Sequence, residues 1–558
     1  MLVNKRHAIS RNVTAIIVVV VVLIAAGGGY FLLNQPPPTT NTTTTSTTTS
    51  STAVTTAISR DLTVGSIQEP RWLDQTRISD SIEILVGAQV YEPLLRNNPQ
   101  TGIPEPWLAQ SYDVSSDGLT YTFHLRQGVK FTDGAPFNAQ AVKATFARDF
   151  AEPESLASFV GQQLAGANAS NLAATATPSI TVIDDNTVAF KLQSAFSPFN
   201  YMMSMANTGI ASPLHNDRTL DQFVGTGPFT LISWTRTDNV KMVPNPNYWN
   251  KANQDANIKS LTFKFFTSQS ALQSALVTGG IDVGVWSFTP QQINDLSTNA
   301  NLKEIKGEIG AFLGIDLNNA TAPLNNLQVR QAIFYALNGT QIVKTAYAAS
   351  GVASATLMPP NYPYVTNALS AYKQDVTKSK QLLAQAGYSN GFSVDLWTSP
   401  SHWGDSETAL ATLVQQQLGA VGINVNIKTS DITTFIRGAR AGTPPALTFH
   451  WIYDYFGPYQ YLWNLMEPAP TGFWGKFIKY NDAQSTSLLR QIEGTTDTTK
   501  LASLYSQLQQ RAVTTVPLIP FGFSQDVFFS QNYVSGLQFQ FVGSSAANGA
   551  FAQVTFSR

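Results

Sequence analysis

From Gly387 to Gly391 the chain reads Gly-Tyr-Ser-Asn-Gly, the spacing of a nucleophile elbow. An elbow lifts its serine on a strand-to-helix turn, within reach of a histidine and a carboxylate. Here the elements run the other way. An amphipathic helix over 377–386 comes first and a strand over 392–397 follows, so Gly387 is read as a helix stop. There is no His-Glu-x-x-His, no Walker loop and no Gly-x-Gly-x-x-Gly in a strand–helix setting. The five histidines never pair four residues apart, so His402 and His450 are lone side chains and no metal centre is expected. No catalytic residue and no cofactor is assigned. What the chain does concentrate is rings: His450, Trp451, Tyr453, Tyr455, Phe456, Tyr459, Tyr461 and Trp463. Aromatic faces with hydrogen-bonding edges suit holding a sugar or a peptide. Any single ring is more simply a core side chain.

These residues need a large scaffold. The 558 residues exceed one ordinary domain. Apolar side chains make up 43%, and charged ones only 12%, so the polar surface leans on Thr, Ser, Asn and Gln. A net charge of -1 leaves no basic footprint, and no nucleic acid partner is expected. The absence of cysteine removes disulfides, thiolate metal sites and cysteine nucleophiles together. Leu119, Tyr121, Phe123 and Leu125 alternate with polar residues and predict a half-buried strand. Asp133-Gly134 predicts a turn. Asn138 predicts the cap of a helix through 141–150, and Ser268 that of a helix over 271–277. Strands over 62–64, 261–265, 392–397 and 423–427, with helices over 329–337 and 377–386, give a mixed α/β pattern without an internal repeat.

Val13 to Leu33 is an apolar run preceded by Lys5, Arg6 and Arg11. Its length spans a bilayer, and the charge bias puts the globular part outside. It is longer than the core of a cleaved secretory signal. The leader Lys5–Ser10 resembles archaeal pilin-type signal peptides, which are cut before a hydrophobic segment that stays. Pro36-Pro37-Pro38 ends the helix. Thr39–Thr56 is almost all Thr and Ser and reads as a stalk. Sequons at Asn41, Asn168, Asn319 and Asn338 would suit an external protein.

From Arg60 onward a set of blocks resembles the family-5 solute-binding proteins of ABC importers, which serve oligopeptide, dipeptide and nickel transport. The blocks are Asp117–Pro136, Gly225-Thr-Gly-Pro-Phe229 with Asn245-Pro-Asn-Tyr-Trp249, Leu327-Gln-Val-Arg-Gln-Ala-Ile333, Lys378–Tyr388, Trp451-Ile-Tyr-Asp-Tyr455 and Val516-Pro-Leu-Ile-Pro520. Several of them, Tyr248-Trp249 above all, read as scaffold. The resemblance implies an α/β, two-lobed periplasmic-binding-protein-like clamp of type II, with an extra subdomain in the first lobe. A transmembrane helix and a Thr/Ser-rich linker precede it. The implied division is a basic leader over 1–12, an anchor over 13–33 and a stalk over 34–59. Lobe I takes 60–99, 208–308 and 533–558, the extra subdomain 100–207, and lobe II 309–532.

The same resemblance implies a monomer, held at the outer face of the cell membrane. It would close on a small-molecule ligand and dock on ABC permease subunits. In peptide-binding members the aspartate matching Asp454 pairs with the ligand's α-ammonium group, and Trp451 borders the cleft. Tyr453, Tyr455 and His450 flank that position. Trp286, after Gly279–Gly284, and Trp397 and Trp403, after a second-lobe strand, match stretches near ligand. Some positions depart from the pattern. Tyr453 replaces a small residue, Gly457 a second acid and His450 a glycine, and no arginine stands before Trp451 to take a peptide carboxylate. These departures and the crowded rings keep an oligosaccharide ligand open. A surface-anchored hydrolase is the rival class, and would need a carboxylate pair or a triad in the cleft.

Overall fold

The computed structural model describes residues 60–557, apart from 79, 99–100, 153–154, 215–222, 255–256, 287, 401–404, 452–456, 468–476 and 538–550. The anchor and stalk expected at 13–59 lie outside the described residues. Among the described ones no helix is long and apolar enough to cross a membrane.

Strand β1 (Arg60–Ser66) opens the first lobe. A short pair, β2 (Leu95–Asn97) and β3 (Pro104–Pro106), leads into the extra subdomain. There β4 (Ala109–Val114), β5 (Thr120–Leu125), β6 (Ile180–Asp184) and β7 (Thr187–Lys191) form an antiparallel sheet in the order β4-β5-β7-β6. The alternation predicted for β5 holds: Tyr121, Phe123 and Leu125 are buried. Helix α1 (Ala139–Phe150) covers this sheet, and Asn138 caps it by accepting from the Ala141 N–H. Phe123 and the α1 residue Phe146 both meet Phe190 edge-on, at 5.6 and 5.2 Å.

The chain returns through β8 (Phe229–Thr235), β9 (Asn239–Pro244), β10 (Ile258–Phe265) and β11 (Val283–Gly284), then enters the long β12 (Leu302–Leu317). The second lobe adds β13 (Gly351–Ala353), β14 (Phe392–Thr398), β15 (Ile423–Thr429) and β16 (Ala446–Trp451). The long β17 (Leu518–Gln531) leads back, and β18 (Val534–Ser535) pairs with β19 (Thr555–Phe556). One sheet, in the order β15-β14-β16-β12-β17-β11-β1-β10-β9-β8, passes through both lobes, with β13 on β17. Strands β12 and β17, paired antiparallel, carry it across. In the first lobe, Phe551, Ala552 and Val554 complete the core around Leu62, Val64 and Phe263, and Phe551 stands edge-on to Phe263 at 5.6 Å.

The blocks read as scaffold have defined work. Glu92 is fully buried and accepts four bonds: from Trp107 Nε1 (3.0 Å), Tyr248 Oη (2.8 Å), Trp249 Nε1 (2.8 Å) and Thr226 Oγ1 (2.7 Å). This knot ties the start of the extra subdomain to the Gly225–Phe229 and Asn245–Trp249 blocks. Gly225 serves there by close approach, since a Cβ at that position would lie 2.1 Å from the Val90 carbonyl oxygen. Arg330 is buried and donates to the carbonyls of Val516, Leu324 and Thr515, which joins the Leu327–Ile333 block to the Val516–Pro520 block. Asn319 spends its side-chain amide on the carbonyls of Leu317, Ile478 and Pro517, so that sequon is structural.

Asp316 is the poorest fit in the second lobe. It lies within β12, is 0% exposed, and neither carboxylate oxygen has a hydrogen-bond partner among the described residues. Burial pushes its carboxyl well above the ordinary range. A raised folded value means that stability is present at low pH and is lost as pH rises through that value. Replacing Asp316 by valine, which suits a strand, should therefore raise the unfolding free energy by about 1–3 kcal/mol. Denaturant titration at pH 5 and pH 9 checks this. The gain should be larger at pH 9, and a loss at both values would be contrary to it.

Candidate functional site

The register of the long sheet defines a cleft. Strands β1, β10 and β11 run parallel, as do β14, β15 and β16. Strand β16 runs antiparallel to β12, ending with Trp451 opposite Phe312, which itself faces Phe523 of β17. Strand β11 runs antiparallel to β17, ending with Gly284 opposite Phe529. The carboxyl ends of the two parallel sets therefore point at each other along the β12/β17 ribbon. From Phe523 to Phe529 is six residue steps along β17, which at strand rise is about 20 Å. Carboxyl ends of parallel strands are where α/β sheets hold ligands, because the chain leaves in loops there. The ribbon under the gap breaks register between Lys306 and Ile309 and between Ile309 and Phe312, and again just beyond it between Leu313 and Gly314. Such irregularities let paired strands bend.

Trp286 stands on the first-lobe side of this gap, two residues beyond β11. Its ring is half-buried and meets Phe528 at 5.7 Å with a 61° tilt. Its φ of 48° lies in the left-handed region, which a bulky residue rarely adopts. Packing on the ribbon holds it there.

On the second-lobe side the structure separates the expected residues. Leu396 pairs with Ala446 and Trp397 with Leu447, so alternation puts Trp397 and His450 on opposite faces of the sheet. Trp397 is half-buried and covers Gly438 of helix α4, defined below, where an added Cβ would come 2.9 Å from the indole. The backbone of Trp451 forms the end of β16. Asp454, Tyr453, Tyr455 and Trp403 lie outside the described residues.

His450 belongs to a polar cluster that sequence reading passes over. Helix α2 (Gly339–Tyr347) ends in Tyr347, and helix α3 (Asp405–Gly419) carries Glu407 in its first turn. Helix α4 (Ile432–Ala441) lies between β15 and β16 in the chain. Glu407 is 0% exposed and accepts from Tyr347 Oη at 2.8 Å and from Thr398 Oγ1 at 3.4 Å. His450 Nδ1 lies 3.6 Å from its Oε1, and the imidazole stands edge-on to Tyr347 at 5.6 Å. Burial pushes the Glu407 carboxyl up, but His450, Thr448 and Tyr347 pull it down further, and the balance lies below the ordinary carboxylate value. The cluster is thus an ionised acid seated under a histidine at the cleft edge.

A family model described as bacterial extracellular solute-binding proteins, family 5, matches residues 104–473. The glutathione-binding protein GsiB of Salmonella typhi is 31% identical over 382 residues, covering 67% of this chain and 70% of that protein. Among solved structures, HbpA2 from Haemophilus parasuis is 25% identical with a TM-score of 0.77, over 89% of this chain and all of its own. The periplasmic binding protein DppA from Helicobacter pylori, in complex with the peptide STSA, is 23% identical with a TM-score of 0.72. It covers 90% of this chain and 99% of its own, a likeness of fold.

Proposed function

The chain belongs to the bacterial extracellular solute-binding proteins of family 5, and from that premise we propose that it captures peptides between its two lobes and hands them to an ABC permease. Membership makes it a solute-binding partner of ABC transporters rather than an enzyme. The observation that carries the reading is the pair of strand edges facing each other across about 20 Å of bent ribbon. That span accommodates a short extended chain, and an ionised acid lies beneath one wall. The family's named ligands support it: glutathione for GsiB and the peptide STSA for DppA. The run over 13–33 would hold the protein to the membrane, the stalk would set the clamp off its outer face, and it would work as a monomer. An oligosaccharide is the second reading, favoured by the rings from His450 to Trp463 and by the missing arginine before Trp451.

Mass spectrometry of solute released from the purified native protein decides between them. Peptides of a few residues are the expected result. Hexose oligomers would move the ligand to the second reading, and cleaved products accumulating from an added peptide would remove the transport role itself.

A further inference from the structure

The two lobes meet at a second place, away from the ribbon. Helix α5 (Pro458–Met466) begins seven residues after β16 ends, and helix α6 (Ala483–Glu493) packs beside it. Phe196 of the extra subdomain is nearly buried and stands edge-on to Tyr459 of α5, with ring centres 5.3 Å apart at 88°. The next residue, Ser197, donates its N–H to the Glu493 carbonyl and its hydroxyl to the Ile492 carbonyl, both at 2.8 Å. The last carbonyls of a helix have no donor within the helix, and the extra subdomain supplies one to Glu493, while the Ile492 carbonyl also accepts from the Gly494 N–H. The corner is braced within the second lobe. The Tyr459 hydroxyl donates to the Glu493 carboxylate, and Arg490 bridges Glu493 and Glu467. Phe196 and Tyr459 belong to one buried apolar cluster that includes side chains of both the subdomain and the second lobe.

The subdomain is also fastened to the first lobe. The Glu92 knot holds it, as do the pairs of Arg148 with Asp74 and of Arg77 with Glu152. Two bodies joined along one bent ribbon keep a soft rotation about it. A second contact off that axis sets their angle. The two Ser197 hydrogen bonds can be exchanged for bonds to water, so the ring contact is what the corner stands to lose.

We propose that Phe196 and Ser197 are positioning residues for solute capture: they hold the α5–α6 corner from the opposite lobe, and thereby set the spacing of the two cleft edges. The proposal rests on the reading of the cleft as the capture site. The captured solute's lifetime then depends on a contact that touches no solute.

The test uses the full chain. It lacks cysteine, so Ile183→Cys in the subdomain and Lys500→Cys in the second lobe, both exposed, give unique spin-label sites. Pulsed dipolar distances are read without added solute. Phe196→Ala should raise the population outside the unsubstituted peak about fivefold, as loss of the ring pair implies. The milder pair Ser197→Ala with Tyr459→Phe keeps the ring contact and should shift the distances the same way by less. It decides the matter if Phe196→Ala does not fold. Dissociation of the probe peptide Ser-Thr-Ser-Ala should quicken with its association rate unchanged, whereas a merely structural loss would lower the unfolding midpoint and leave both rates alone. Superimposable distance distributions in parent and variants would overturn the positioning role. An unsubstituted chain that holds no solute of any kind would overturn the capture reading instead.

Discussion

Replacing Glu92 by alanine should bring the protein close to unfolding. Two indole N–H groups, a phenol and a threonine hydroxyl converge on one buried carboxylate. Alanine leaves all four donors without an acceptor. At about 1 kcal/mol each the loss is about 4 kcal/mol, against a usual total of about 5–15 kcal/mol. Denaturant midpoints measure it. The same group should give the protein a pH signature. Burial pushes the Glu92 carboxyl up to about 7, and the four bonds pull it back only in part. Between the ordinary value of 4.5 and about 7 the folded chain holds a proton that the unfolded chain has released. The unfolding free energy should therefore fall as pH rises through that window, by about 3 kcal/mol from this residue. Glu92→Gln cannot titrate, so subtracting its pH profile from that of the parent isolates what this carboxyl contributes. A difference that stays flat between pH 4.5 and 7.5 would refute the assignment.

The second large effect concerns the solute. On the reading, implied by the family resemblance, that Asp454 pairs with the ligand's amine, Asp454→Ala should abolish peptide capture, because a buried ammonium left without its carboxylate costs about 3–5 kcal/mol. In Kd that is a rise of about a hundredfold or more. Calorimetry with the co-purified peptide gives the number. A neutral sugar would lose only the worth of a hydrogen bond left unmade, about 1–3 kcal/mol. The size of the effect thus reports on the ligand class as well as the residue. A peptide bound equally well by parent and variant would rule Asp454 out as the amine anchor.

Much of the scaffold could be read from local patterns. Asn138 and Ser268 were legible as caps because capping is a matter of three or four residues, and each accepts from the backbone three positions on. Gly387 adopts a φ of 88°, so the apparent nucleophile motif is a helix ending, as the order of helix and strand implied. The family blocks were legible as scaffold without their reasons. Glu92 meets partners 15, 134, 156 and 157 residues away, and no periodicity spans such distances. Glu407 was hidden for the same cause, since an acid in the first turn of a helix looks like an ordinary dipole partner. The separation of Trp397 from His450 depends on strand register, which neither segment encodes by itself.

Phe551 and Val554, packed against residues around Leu62, govern how the protein comes into being. Leu62 leaves the ribosome early, yet its hydrophobic surroundings remain unfinished until residues 551–554 have been translated. The material of the second lobe, lying between, emerges complete beforehand. Domains generally fold as units as they are synthesised. On this packing, maturation should run from the middle outward, with the part begun first finished last. Translation halted shortly before Phe551 would thus leave its wound in the amino-terminal half of the molecule.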